Sequence, residues 1–113
     1  MPEVLNLEPK DAVALDEFVQ RIRALLGPNL IRLRLFGSKV RGDSAPDSDI
    51  DVAVIVKEGV SGIWDRVLDV AFEVNLAHDV YISPRVIDQS ILEDPIWSIT
   101  PFLKAVEREG VLL

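Results

Sequence analysis

The chain has no cysteine among its 113 residues, so a disulfide framework and a thiolate metal site are both excluded. That composition suits a reducing compartment, and a cytoplasmic location is expected. No apolar run approaches the ~20 residues that a membrane-spanning helix needs. The opening MPEVLNLEPKD lacks the basic and apolar regions of a secretion signal. Positive charge is scarce as well: 12 Lys and Arg stand against 19 Asp and Glu, a net charge of −7. Duplex nucleic acid draws most of its protein affinity from cations that neutralise phosphates, so long DNA or RNA is not the expected partner. A nucleoside triphosphate stays compatible if divalent cations sit between carboxylates and phosphates, and so does a basic protein partner.

What is present is core. Hydrophobic residues make up 49% of the chain, which suits one packed domain over residues 1–113, and no repeat, low-complexity tract or linker interrupts it. Val13, Phe18, Ile22, Leu25 and Leu26 form an apolar stripe that predicts a helix over 9–26, opened by Pro9 and stopped by Gly27-Pro28. Residues 30–36 alternate, Ile31, Leu33 and Leu35 on one face and Arg32 and Arg34 on the other, as in a half-buried strand with an exposed arginine face. After two acids, Asp49 to Val56 is β-branched and apolar, as a central strand is. Ile63, Trp64, Val67, Leu68, Ala71, Val74 and Leu76 give a helical rhythm over 60–77. Asp79 to Ser83 reads as a third strand closed by Pro84, with a short helix over 86–93. Thr100-Pro101 opens a last helix that Gly110 ends. The order predicts an α/β (α+β) domain, a small mixed β-sheet covered by helices. Trp64 and Trp97 are expected to fill core or interface space, and His78, the single histidine, to be satisfied or solvent-facing.

The chemistry concentrates in Leu35-Phe36-Gly37-Ser38-Lys39-Val40-Arg41-Gly42 and Ser48-Asp49-Ile50-Asp51-Val52. Gly37 and Ser38 leave a strand and open a short helix, where backbone N–H groups can hold phosphate oxygens and glycine permits close approach. The Ser38 hydroxyl adds a donor, and Arg41 is placed to pair with a phosphate or to lock the loop against an acid. Asp49 and Asp51 leave one face of a strand with Cα atoms roughly 6.5–7 Å apart. Both carboxylates can lean onto one hard cation, or onto a pair about 3.5–4 Å apart, as phosphoryl transfer requires. Asp47, Asp49 and Asp51 with Glu58 also mimic a calcium loop, but Val52 stands where that loop needs glycine and Pro46 breaks the entering helix.

This stretch resembles the active-site motif of the DNA polymerase β-like nucleotidyltransferase superfamily, above all its minimal branch, the MNT domains. The tail, Pro101-Phe102-Leu103 and Glu109-Gly110-Val111-Leu112-Leu113, resembles how those short domains end. Val40 departs from the alanine usual there. The resemblance implies the polymerase β-like fold and two Mg²⁺ ions, with Mn²⁺ as an alternative, held by Asp49 and Asp51. It also implies a third carboxylate on the adjacent strand, assigned to Asp79 ahead of Asp69, Glu73 and Asp88. Asp79 would complete one metal site and favour deprotonation of the acceptor, while Gly37 and Ser38 hold the β- and γ-phosphates. The implied activity is transfer of a nucleoside monophosphate, AMP from ATP first, to a hydroxyl acceptor. Minimal members are often paired with a helical HEPN protein, which implies an antitoxin that adenylylates a tyrosine of its toxin. A binding-only antitoxin and a standalone enzyme acting on a small molecule are the other readings, and the oligomeric state stays open.

Overall fold

A computed structural model describes residues 7–41, 49–60 and 62–113, Ser38 and Arg41 by their backbone. Helix α1 (Pro9–Leu26) and strand β1 (Leu30–Phe36) fall where the sequence places them. A one-turn helix α2 (Ser38–Arg41) follows β1 directly. Then come β2 (Ile50–Val56), α3 (Ile63–His78), β3 (Ile82–Asp88), α4 (Gln89–Glu93), α5 (Pro101–Glu109) and β4 (Val111–Leu112). The sheet order is β3-β2-β1-β4, with β1 antiparallel to both β2 and β4 and β2 parallel to β3. The fold is therefore mixed α/β, as expected.

Two apolar layers hold the sheet. On one face Ile50, Val52 and Val54 of β2 join Leu33 and Leu35 in burying α1 through Leu15, Phe18 and Ile22, and α3 through Val67, Ala71 and Val74. On the other, Phe36, Ala53, Ile55 and Ile87 bury Leu103 and Val106 of α5. Phe36 meets Phe102 edge-on, with ring centroids 5.6 Å apart, a favoured aromatic geometry. Alternation along β2 decides the placement of the acids. Its even-numbered residues face the α1/α3 layer, so Asp51 lies on the α5 side with Ala53 and Ile55.

Five expectations are corrected. Pro84 does not close a strand at 79–83; β3 starts at Ile82 and runs through Pro84, which sits opposite Val52. The N–H of Ile50 donates to the Tyr81 carbonyl at 2.8 Å, so by alternation the odd-numbered residues of β3 bond β2. Pro84 then turns its missing N–H to the free edge, where proline is tolerated. The helix expected over 86–93 begins only at Gln89, because 86–88 belong to that strand. A bulge between Leu30 and Arg32 swings Ile31 onto the α5 face, away from Leu33 and Leu35. The arginine face of β1 is not exposed: α5 covers it, Arg32 approaches Glu107 at 3.9 Å, and Arg34 donates to the Gly110 carbonyl at 3.2 Å. The tail adds a strand the sequence reading did not foresee, β4 on β1. Beyond it, Leu113 is tied down at both backbone groups: its N–H donates to the Leu33 carbonyl at 2.9 Å, and its carbonyl accepts from Arg23 at 2.7 Å. Thr100 precedes α5, but its hydroxyl donates back to the Trp97 carbonyl at 2.8 Å and does not cap the helix.

Candidate active site

Three strand ends meet at one end of the sheet. The C-terminal end of β1 delivers Phe36 opposite Asp51, and the N-terminal end of β3 delivers Ser83 opposite Asp51 on the other side. Gly37 turns the chain out of β1 at φ 82°, a conformation that side chains with a Cβ rarely adopt. A Cβ placed on Gly37 would overlap Oδ2 of Asp51 and stand 3.2 Å from its Cγ. Glycine here serves both the backbone angle and the close seat of the carboxylate. The Val40 N–H donates to the Gly37 carbonyl at 3.1 Å, closing the turn of α2.

That turn is anchored from below. Lys39 is buried, and its ammonium lies 3.3 Å from Oδ2 of Asp11 in α1. Asp11 is itself buried near the start of α1. The sequence reading passed over this pair. The usable signal was an acid on the inner side of the first helix and a lysine inside an otherwise glycine- and serine-defined turn.

Asp49 is exposed immediately before β2, and Asp51 is half-buried within it. Asp49 lines an open cleft of about 670 Å³ together with Ser83 and Arg85 of β3, Tyr81, and the α3 side chains Trp64 and Phe72. Asp49 precedes β2, so of the two acids expected on one strand face only Asp51 lies within the strand; a hard divalent cation such as Mg²⁺ uses one or two protein carboxylates and completes its shell with phosphates and water. Among the described residues no three ligand-type side chains converge.

Asp79 is not where a third carboxylate was expected. It is the C-cap of α3 in the left-handed conformation, φ 54° and ψ 52°, which Asp tolerates better than most residues. Its side chain is 93% exposed, 4.0 Å from Lys10, and lines a separate cavity with Leu76 and Val80. The strand position beside Asp51 belongs to Ser83. The physical reason is the late start of β3, which spends Asp79 on ending the helix. The weaker candidates are accounted for as well. Glu73 pairs with Arg21 at 2.7 Å, and Asp88 accepts from the Ser90 hydroxyl at 2.7 Å and the Ser90 N–H at 2.8 Å, capping α4. Asp69 lines the cleft from α3. His78 is engaged by Glu17 at 3.1 Å. The roles expected for the Ser38 hydroxyl and the Arg41 guanidinium, and the calls on Gly42, Pro46, Asp47 and Ser48, lie outside the described residues and side chains.

A glycine-shaped seat for a carboxylate, a second acid at the mouth of a cleft and a short helix leaving the neighbouring strand lie at one end of the sheet. Residues 15–111 match the nucleotidyltransferase domain family, and the chain belongs to that family. It is 34% identical over 96 residues to the candidate protein adenylyltransferase MJ0141 of Methanocaldococcus jannaschii, covering 84% of this chain and 90% of that one. A second candidate protein adenylyltransferase of that organism, MJ0604, is 30% identical over 101 residues, covering 88% and 94%. Solved structures share the fold. A candidate minimal nucleotidyltransferase superposes with a TM-score of 0.58 at 24% identity, covering 96% of this chain and 99% of that one. A toxin–antitoxin structure with AMP-PNP gives 0.54 at 23%, covering 84% and 68%. No helix among the described residues is long and apolar enough to cross a membrane.

Proposed function

We propose that this nucleotidyltransferase moves AMP from ATP onto a hydroxyl of a protein acceptor, a tyrosine of a HEPN-type toxin, and so acts as its antitoxin in the cytoplasm. The observation that carries the reading is the junction of β1 and β2, where Gly37 leaves room for the Asp51 carboxylate and Asp49 opens onto the cleft. The relatives named as candidate protein adenylyltransferases support a protein acceptor. A toxin–antitoxin structure of the same fold supports a toxin partner.

In this reading Asp49 and Asp51 hold one or two divalent cations, Mg²⁺ or Mn²⁺, which supply positive charge against the triphosphate and the leaving group. The backbone N–H groups at Gly37 and Ser38 bind the β- and γ-phosphates, with the Ser38 hydroxyl and Arg41 adding donors. The acceptor oxygen forms a bond to the α-phosphorus. The bond from that phosphorus to the bridging oxygen of the β-phosphate breaks, and pyrophosphate leaves with the electron pair. The acceptor's proton passes to the carboxylate pair or to water. Asp79 has no part in this scheme, since its carboxylate faces solvent beside Lys10; Ser83 stands next to Asp51 in its place.

The test uses ATP labelled on its α-phosphate, Mg²⁺ and a lysate of the source cell, with the Asp49→Asn/Asp51→Asn double variant as control. A labelled protein band that needs both acids is expected, and its labelled residue identifies the acceptor. Acid-dependent label in a small molecule or in RNA instead would discard the toxin partner and keep the chemistry.

A further inference from the structure

Helix α3 is apolar on two faces. One face, Ile63, Val67, Val70, Ala71 and Val74, is buried in the domain. The other carries Trp64, Leu68, Phe72 and Leu76, which are 46%, 38%, 67% and 75% exposed. Their spacing of four residues aligns them in one row about 18 Å long, and Tyr81, 60% exposed, extends it from the next segment. A helix that is apolar on opposite sides is normally covered on both, and a continuous exposed row of this kind marks an interaction surface.

The surroundings of the row narrow what covers it. A partner strand is poorly served at the near end of the adjacent edge strand, β3. There the Asn75 side chain already bonds the N–H of Ile82 at 2.8 Å and its carbonyl at 3.1 Å, and Pro84 has no N–H to offer. The partner therefore meets the row with side chains, as a helix laid along it does. Helical spacing puts Asp65 and Asp69, both exposed, along the solvent rim of the row, while Arg85 of β3 borders its opposite, cleft side. Neither is ion-paired with a described residue. A second copy of this chain would bring the same acidic rim, on a molecule of net charge −7, against this one, and like charges across an interface are unfavourable.

We infer that the Trp64–Leu68–Phe72–Leu76 row is the docking face for an amphipathic helix of another protein, one with an apolar row flanked by Lys or Arg. Trp64, Leu68 and Phe72 also line the cleft that Asp49 enters, so a protein docked on the row is led to the carboxylates. That last step, which makes the docked protein the acceptor, rests on the proposed transfer reaction; the docking itself does not.

Two fluorescein-labelled designed helices test it, each with leucines in one row, flanked by lysines in one peptide and by glutamates in the other. Binding is read by anisotropy to the full chain. The lysine-flanked helix is expected to bind at least tenfold more tightly than the glutamate-flanked one, and to weaken with added salt. Phe72→Ser/Leu76→Ser should lower its affinity at least tenfold with the thermal unfolding transition retained. Asp65→Asn/Asp69→Asn, which keeps the apolar row, should remove the preference between the two peptides. Asp49→Asn should bind like the parent, so loss of transfer in that variant with docking intact separates this inference from the reaction. Equal binding of both peptides, no binding of either, or unchanged binding to Phe72→Ser/Leu76→Ser would overturn it. So would a dimer in sedimentation equilibrium that the same double variant dissolves, because a second copy would then own the face.

Discussion

The ammonium of Lys39 stands 3.3 Å from a carboxylate oxygen of Asp11, and the two side chains are 2% and 8% exposed. This pair ties the one-turn helix after β1 to the first helix of the chain, so the segment that carries Gly37 and Ser38 is fastened to the core from beneath. Removing one partner of a buried pair leaves the other charge uncompensated. Lys39→Met alone, or Asp11→Leu alone, is expected to cost about 3–5 kcal/mol, measured by urea unfolding. The double variant Asp11→Leu/Lys39→Met should recover most of that loss, since an apolar replacement of both partners is often neutral. A double variant as unstable as the worse single one would show that the pair is not the anchor.

Gly37→Ala tests the seat of Asp51. The left-handed backbone costs about 1–2 kcal/mol for a residue with a Cβ, and the new methyl group would displace the carboxylate. A displacement near 1 Å at a reacting centre can cost roughly 10²-fold in rate. The transfer assay on Gly37→Ala should therefore fall by about that factor while the protein remains folded. Full activity in a folded Gly37→Ala variant would place the phosphate and metal site elsewhere.

Much of this arrangement was legible in the sequence. The 3.6-residue rhythm and the Gly27-Pro28 stop give α1 its bounds, Pro9–Leu26, and alternation gives β1 its own. The Asp49-Ile50-Asp51 spacing led to a strand that holds Asp51 but starts only after Asp49. What stayed hidden depends on pairing between distant segments. Nothing local says that β3 starts at Ile82, because Asp79-Val80-Tyr81 has strand-like composition; only the parallel register with β2 puts Ser83, and not Asp79, beside Asp51. Pro84 misled for the same reason, being forbidden in a central strand and harmless at an edge. Val111-Leu112 is too short to announce a strand until β1 offers it an edge. The outward row on α3 was read as helix rhythm, since periodicity shows where apolar residues recur and not which of them remain uncovered.

Ser83→Asp follows from that register. Without metal, a new carboxylate beside Asp51 adds like-charge repulsion, and the melting temperature should fall. Adding Mg²⁺ or Mn²⁺ should then raise it by more than in the parent protein, with each kcal/mol of metal binding appearing as about 4–8 °C. Equal metal-induced shifts in the two proteins would mean that Ser83 does not face the Asp51 carboxylate.

Asp88 makes a pH-dependent contribution. Its pKa lies below the ordinary 3.8, lowered first by the Ser90 hydroxyl and then by the Ser90 N–H, with a smaller aid from the Gly59 N–H and some opposition from desolvation. The folded value is depressed, so the unfolded chain binds more protons in this range and stability rises with pH. The contribution is complete above about 3.8 and is lost as pH falls through the folded value. Asp88→Ala should be less stable than the parent near neutral pH, and the gap should close as the pH is lowered through that window. A gap of constant size across an acid titration would contradict it.

The most direct test of the central claim runs two reactions side by side, with ATP labelled on the α-phosphate in one and on the γ-phosphate in the other. Nucleotidyl transfer predicts that α-label enters the acceptor, that γ-label leaves as pyrophosphate, and that Asp49→Asn abolishes both. Label entering the acceptor from the γ-phosphate, or α-label transferred as well by Asp49→Asn as by the parent protein, would contradict the account.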